Sequence, residues 1–346
     1  MEFTTRQLLM AIKEKGIRRD NFFLRMFFPE IYTFSTEKVD LDMVPNRPKI
    51  APFCSPMIGG QVDRNQGYET TSFKPAYVKS KHVVNGNMTL KRMPGEAPTA
   101  LKTPEERQAL HVMQNLDLEE EAVSMREELM AAQMIIHGEY LVDGPNIEEP
   151  YVISSPRKAE NNITLIGDAR WTQKDRATFD PLAEITKESN KADGQINIIA
   201  LDKKAWALIN EFKKFTDKLE TRRGSKSELE TALKDLGKAV SYKGYVGDVE
   251  FVVVDEEYTA RDGSTQKVVP AYTIILGHTS ARGLRLYGAI QDLKAQQEGY
   301  TESERYVRDW TEGNDPVVRY TKTECAPAPY MADANSFVVL TVASDS

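Results

Sequence analysis

Residues 103–138, TPEERQALHVMQNLDLEEEAVSMREELMAAQMIIHG, constrain the architecture of this 346-residue chain more than any other stretch. Thr103 followed by Pro104 and Glu106 is a capping box with proline at the first helical position, and Gly138 follows the last periodic residue. The pattern predicts one helix over 104–137, roughly 50 Å long at 1.5 Å per residue. That exceeds the width of an ordinary small domain. Ala109, Val112, Met113, Leu116, Val123, Met130 and Met134 keep one face. Eight carboxylates (Glu105, Glu106, Asp117, Glu119, Glu120, Glu121, Glu127, Glu128) against Arg107 and Arg126 leave the helix at net −6. A charged face of this kind is ordinarily solvated, and the competing expectation is that it receives a basic partner.

A basic candidate precedes it. Residues 56–84, PMIGGQVDRNQGYETTSFKPAYVKSKHVV, lie in a proline-punctuated region, 41–98, that has no helical period, so extended and turn structure is expected. Within 61–92, Arg64, Lys74, Lys79, Lys81, Lys91 and Arg92 stand against Asp63 and Glu69, six cations to two carboxylates, a local net of +4. QVDR and FKPAYVK around NQGY predict an extended two-stranded hairpin. A connection this long with no packing of its own is uncommon inside a compact domain unless it has a function.

Elsewhere the chain reads as folded. Residues 4–15 form an amphipathic helix with Leu8, Leu9 and Ile12 inward and Gly16 as its stop, and NFFLRMFFPEIYTF (21–34) is either core or an arm that docks on a partner. EYLVDG and EEPYVIS make a hairpin and NNITLIG a short strand. From about 176 the pattern is α/β: INIIAL, a helix capped by Asp202 with Trp206, Ile209, Phe212, Phe215 and Leu219 inward, then a helix opened by Ser225 and Glu228 and ended by Gly237. VEFVVV, an Asp262–Gly263 turn and YTIIL add strands, and SFVVLTV near the C-terminus is expected to return to the layer left at residue 170.

Chemistry is conspicuous by its absence. A net charge of −7 argues against a dedicated duplex-DNA binder, which is usually basic. Cys54 and Cys325 lie far apart with no CxxC companion, so neither a disulfide framework nor a thiolate metal site is indicated and a reducing compartment is expected. The N-terminus lacks the apolar run of a signal peptide and no stretch of about 18 apolar residues occurs, so a soluble cytoplasmic protein with no membrane partner is expected. DLGKAV lacks the leading glycine and hydroxyl of a Walker loop, and neither GxGxxG nor GxSxG is present. His82, His111, His137 and His278 show no ligand spacing. DLEEE sits mid-helix without a histidine or second cluster in register. Arg222 and Arg223, ahead of a helix N-terminus, are the best anion-site candidate, against the plainer reading of a helix corner. No catalytic, cofactor-binding or metal-ligating residue is therefore expected, and a chain with a long helix, a basic arm and no active site looks built for contact with other chains.

The segments TEKVDL, KAENNITLIGDARW, ETRRGSKSELETALKDLGKAVSYKGYVGDVEFVVV and SARGLRLYGAIQDLKAQQEG resemble the tailed-phage major capsid protein E family, from a phage or a prophage copy. The resemblance implies an α+β, HK-ninety-seven-type capsid fold. It places an N-terminal arm at 1–40, an extended E-loop at 41–98, a P-domain at 99–175 with its spine helix at 104–137, an α/β A-domain at 176–299, and a return to the P-domain at 300–346. It implies a non-enzymatic shell protein that self-assembles through heterologous contacts into hexamers and pentamers around packaged DNA, without sequence-specific DNA recognition. Scaffolding, portal and head decoration proteins would be its partners, and the virion capsid its place after assembly in the host cytoplasm. The arm would cross a neighbour's P-domain, with Phe73, Tyr77 and Val78 supplying adhesion and Lys74, Lys79 and Lys81 meeting Asp117, Glu120 and Glu121. Arg222 and Arg223 complete the candidate contacts. The rival readings are an encapsulin-type compartment shell and an unrecognised α+β cytosolic enzyme. No lysine–asparagine crosslinking pair is expected.

Overall fold

The computed structural model describes residues 2–15, 21–43, 50, 53, 56–57, 69–92, 96, 102–145, 147–219 and 239–344. Arg222, Arg223, the helix expected over 225–236, Cys54, Gly16 and the QVDR–NQGY half of the expected hairpin lie outside the described residues.

The apolar runs read as strands assemble a six-stranded sheet in the order 162–164, 338–341, 273–277, 198–201, 249–254, 240–246. Strands 198–201 and 249–254 are parallel, as are 338–341 and 162–164; the other neighbours are antiparallel. Ile198–Leu201 and Thr273–Gly277 are buried at every position, because both sheet faces are covered. Alternation divides them: Ile199, Leu201, Phe251, Ile274 and Leu276 pack with Trp171, Ile209, Phe212 and Phe215. Ile198, Ala200, Val252, Ile275 and Val339 face a larger core built on Phe22, Phe23, Phe27, Phe28 and the end of the long helix. The aromatic stretch 21–34 is thus core, with Phe22 edge-on to Phe23 and Phe27 edge-on to Phe337.

The closing strand Val338–Thr341 lies in this central sheet, beside the strand Asn162–Thr164. Tyr306–Glu312 and Val318–Cys325 instead form a peripheral three-stranded sheet with Val78–Val84, and the long helix crosses it. A third, small sheet joins Glu30–Thr33, Gly283–Tyr287 and Pro327–Met331, and Glu139–Val142 pairs with Tyr151–Ser154 as the expected hairpin.

Two expectations are corrected. The helix that follows Asp202 is broken, Lys203–Ile209 and then Lys213–Thr216, which lets Phe212 and Phe215 both reach the core. FKPAYVK is not one arm of a hairpin with the residues before it. Glu69–Phe73 pairs with Val39–Met43, Pro75 interrupts the run, and Val78–Val84 enters the peripheral sheet beside Val318–Cys325. Only residues 44–68 therefore stand between the two strands of the stem.

Candidate assembly surfaces around the spine helix

The helix runs Pro104–His137 as its sequence dictates. Thr103 Oγ1 accepts the Glu106 N–H at 3.2 Å and the Glu106 carboxylate accepts the Thr103 N–H at 2.8 Å. At the other end Gly138 adopts φ 79° and donates to Met134 O. A Cβ there would lie 3.0 Å from the Arg157 side chain, whose guanidinium caps Ile135 O and reaches Phe337 O at 3.2 Å. Arg157 thus ties the helix C-terminus to the central sheet.

The acidic face expected to be solvated is divided: Glu105, Glu106 and Glu121 are exposed, whereas Glu119, Glu127 and Glu128 are buried, each with a distant partner. Glu119 accepts from Thr321 Oγ1 (2.7 Å), Thr323 Oγ1 (3.0 Å) and the His82 N–H (3.1 Å), with His82 Nδ1 at 3.2 Å. Burial still pushes its carboxyl above the usual range, against those bonds. Arg305 forks onto Glu127 with two 2.6 Å bonds and reaches Glu120 at 3.3 Å. Burial raises the Glu120 carboxyl as well, while Arg305 opposes it. Glu128 accepts the Phe23 and Leu24 N–H groups at 2.7 and 3.0 Å. Burial, with the charge of Glu256 added, pushes its carboxyl up to about 8. Asp117 pairs with Lys15 at 2.9 Å on the N-terminal helix Thr5–Lys15, and Glu121 remains exposed.

The basic residues of the expected arm are likewise engaged within the subunit. Lys74 pairs with Glu37 at 2.7 Å and Lys79 with buried Glu324 at 3.2 Å, while Lys81 sits 3.9 Å from the Tyr320 ring centroid and 5.0 Å from that of Trp310. Phe73 stacks on Tyr330, the Tyr77 hydroxyl accepts the Gln291 N–H at 2.6 Å, and Val78 is the strand partner of Cys325. The cations and the spine carboxylates do share one neighbourhood: β-strand pairing lays Val78–Val84 against the helix in the same chain. No local signal marks Arg305, which is remote in sequence from the helix and adjacent to Glu304 in a polar run.

Large apolar side chains also face outward. Ile50, Phe53 and Met57 are 94%, 107% and 93% exposed. On the hairpin Leu141 (59%) and Val152 (51%) are cross-strand partners on its outer face. Between that hairpin and the spine helix lies a groove of about 600 Å³, lined by Tyr77, Met130, Tyr140, Leu141 and Ile147 together with Lys79, Arg126 and Asp143. Among the described residues no His, Cys, Asp or Glu cluster could hold a metal, and no helix is long and apolar enough to cross a membrane.

A long helix lying between a peripheral sheet and an α/β sheet, with the strands Val39–Met43 and Glu69–Phe73 paired as a separate ribbon, is the architecture of the tailed-phage capsid class. The chain belongs to the phage major capsid protein E family, whose model matches residues 4–342. It is 44% identical to the major capsid protein of Escherichia phage lambda over 341 residues, covering 99% of each chain, and 45% identical to that of Escherichia phage N15 over the same length and shares. A solved structure of a prophage capsid protein from Escherichia coli CFT073 superposes with a TM-score of 0.81 at 32% identity, covering 99% of this chain and 100% of that one. The protein is a major capsid protein, a structural component and not an enzyme, and its fold is the HK-ninety-seven-type α+β fold.

Proposed function

We propose that copies of this chain close into an icosahedral shell of hexamers and pentamers that encloses phage DNA. Assembly takes place in the host bacterial cytoplasm with a scaffolding protein, a portal and a head decoration protein as partners. The observation that carries this reading is the division of labour within the subunit. The buried carboxylates of the spine are met at home, whereas three large apolar side chains at 50–57 are exposed to water.

The same division revises the nature of the arm contact. Lys74 and Lys81, with Glu121, stay at the surface and can set register between subunits, but the paired cations contribute little adhesion in salt. Phe73, Tyr77, Val78, Lys79, Asp117 and Glu120 serve by holding the stem and helix in place, and Arg222 and Arg223 remain candidate contacts. An acidic chain also suits an inner wall that must not trap the genome. Particles isolated from producing cells and treated with nuclease test the reading. Closed shells containing protected DNA are expected; closed shells filled with a protein cargo and no nucleic acid would favour the compartment reading and overturn this one.

A further inference from the structure

Asn85 and Gly86 form the only Asn–Gly step in the chain, and the fold leaves both of its reacting groups free. The step lies where the strand Val78–Val84 leaves the peripheral sheet and turns into the short helix Gly86–Leu90. Both residues are exposed. Asn85 stands where an asparagine ordinarily accepts a backbone N–H from the turn that follows, yet its side chain makes no such bond. Gly86 is the first residue of that turn, so its N–H has no acceptor within the helix, and among the described residues none meets it from elsewhere. A Cβ at Gly86 would touch nothing within 4 Å, so no neighbour screens the peptide nitrogen.

Comparable steps in the chain are held. Gly194, after Asp193, donates its N–H to Ala192 O at 3.1 Å, and Asp193 pairs with Lys158. Gly263 donates to Ala260 O at 2.9 Å, while the Asp262 carboxylate ahead of it accepts from the Ser264 N–H at 2.9 Å and the Ser264 hydroxyl at 2.6 Å. Ser336, after Asn335, donates to Asp333 O at 3.0 Å, and the Asn335 side chain bridges the Lys158 N–H and Pro156 O.

We propose that Asn85 is a site of spontaneous covalent ageing, its side-chain amide converted to a carboxylate through a cyclic imide formed with the Gly86 nitrogen. Hydroxide removes the Gly86 amide proton, and the nitrogen attacks Asn85 Cγ. The N–Cγ bond forms, the Cγ–Nδ2 bond breaks, and ammonia departs with a proton taken from water, which restores the hydroxide. Water then opens the five-membered ring. Cleavage at Cγ leaves aspartate; cleavage at the main-chain carbonyl carbon leaves isoaspartate, with the chain rerouted through the side chain and one methylene longer. Nothing is oxidised or reduced. Glycine favours the closure because it has no Cβ to crowd the attacking nitrogen.

The product matters because of where it arises. Val84 is the strand partner of Arg319, and Thr89 O accepts Arg107 Nη1 of the spine helix at 3.3 Å, so this step joins the peripheral sheet to the spine. Asn85 also lines the same cavity of about 190 Å³ as Glu105, so the new charge enters beside an existing one.

The test holds folded full-length protein at 37 °C at pH 6 and pH 8.5 and follows the tryptic peptide 82–91 by mass spectrometry, with isoaspartyl methyltransferase labelling as a second readout. Replacement of the Asn85 amide by hydroxyl is expected, faster at pH 8.5, with isoaspartate labelled at that position. The folded rate is expected within about tenfold of that of the same chain unfolded in urea, as for a segment that need not open. Gly86→Ala fits the open space, and is expected to lose most of the conversion while keeping the parent's circular dichroism and urea midpoint. No conversion at Asn85, a folded rate far below the unfolded one, or a Gly86→Ala variant that converts as fast as the parent overturns the proposal. Aged protein is expected to unfold at lower urea than fresh protein, and an unchanged midpoint contradicts the structural consequence. The measurement needs no assembled particles, so its outcome is separate from that of the shell reading.

Discussion

The carboxylate of Glu128 accepts the backbone N–H of Phe23 at 2.7 Å, so a residue deep in the spine helix caps a helix 105 positions upstream. The capped helix is the six-residue Phe22–Phe27, and its own N-cap, Asn21, sits at φ 43° and makes no side-chain cap bond. Its side-chain amide is turned instead to Ser124 on the spine helix. Two spine residues therefore fix the entry of the aromatic segment into the core, and replacing Glu128 with Ala strands two buried donors. Glu128→Ala is expected to destabilise the subunit by about 3 kcal/mol in urea unfolding. A loss below about 1 kcal/mol would show that the cap is not the determinant.

The same carboxyl sets a pH dependence with a definite sign. Its folded value of about 8 is above the ordinary 4.5, so the folded state holds the proton more tightly than the unfolded chain. The resulting stabilisation is complete below pH 4.5 and is lost as the pH rises through 8. Glu128→Gln cannot titrate. The stability gap between parent and Glu128→Gln is expected to shrink from pH 5 towards pH 8.5, measured by urea unfolding in matched salt; a gap that widens would reverse the assignment.

Arg305 neutralises Glu127, which is buried, and Glu120 beside it. Removing one partner of a buried pair leaves an uncompensated charge, so Arg305→Met is expected to cost about 3–5 kcal/mol. Arg305→Lys keeps the charge and loses the two-pronged geometry, and should fall between parent and Met. Because the pair is buried, the loss measured by thermal melts should barely change between low and high salt.

Lys79 offers a contrast to Lys81. Lys79 and Lys322 flank buried Glu324, whereas Lys81 rests on the outer face of Tyr320 and Trp310. Lys79→Glu is therefore expected to destabilise the isolated subunit by about 2 kcal/mol or more, and Lys81→Glu by less than about 1 kcal/mol. Equal losses in chemical unfolding would place both lysines in the same environment, contrary to the structure.

Local signals carried far in this chain, and non-local ones did not. The spine helix was legible because Thr103, Glu106 and Gly138 fix both ends through bonds made within three or four residues. The central strands were legible because Ile198–Leu201 is apolar throughout and Val249–Val254 is apolar at every position but Glu250. The fate of the acidic face was not, since Arg305, Thr321 and Phe23 meet it only after the chain has folded. Likewise FKPAYVK, read as one strand of a hairpin, is divided at Pro75: Phe73 ends the strand paired with Val39–Met43, and Val78 begins the strand paired with Val318–Cys325.

Sedimentation velocity on the purified full-length protein, across a concentration series in physiological salt and with the leading boundary imaged by negative stain, separates a wall-building subunit from a self-sufficient one. A concentration-dependent shift from subunits or capsomers to closed particles is expected, abolished by Phe53→Glu while the subunit stays folded by circular dichroism. A folded parent protein that sediments as a monomer at every concentration, or particles that form unchanged with Phe53→Glu, would contradict it.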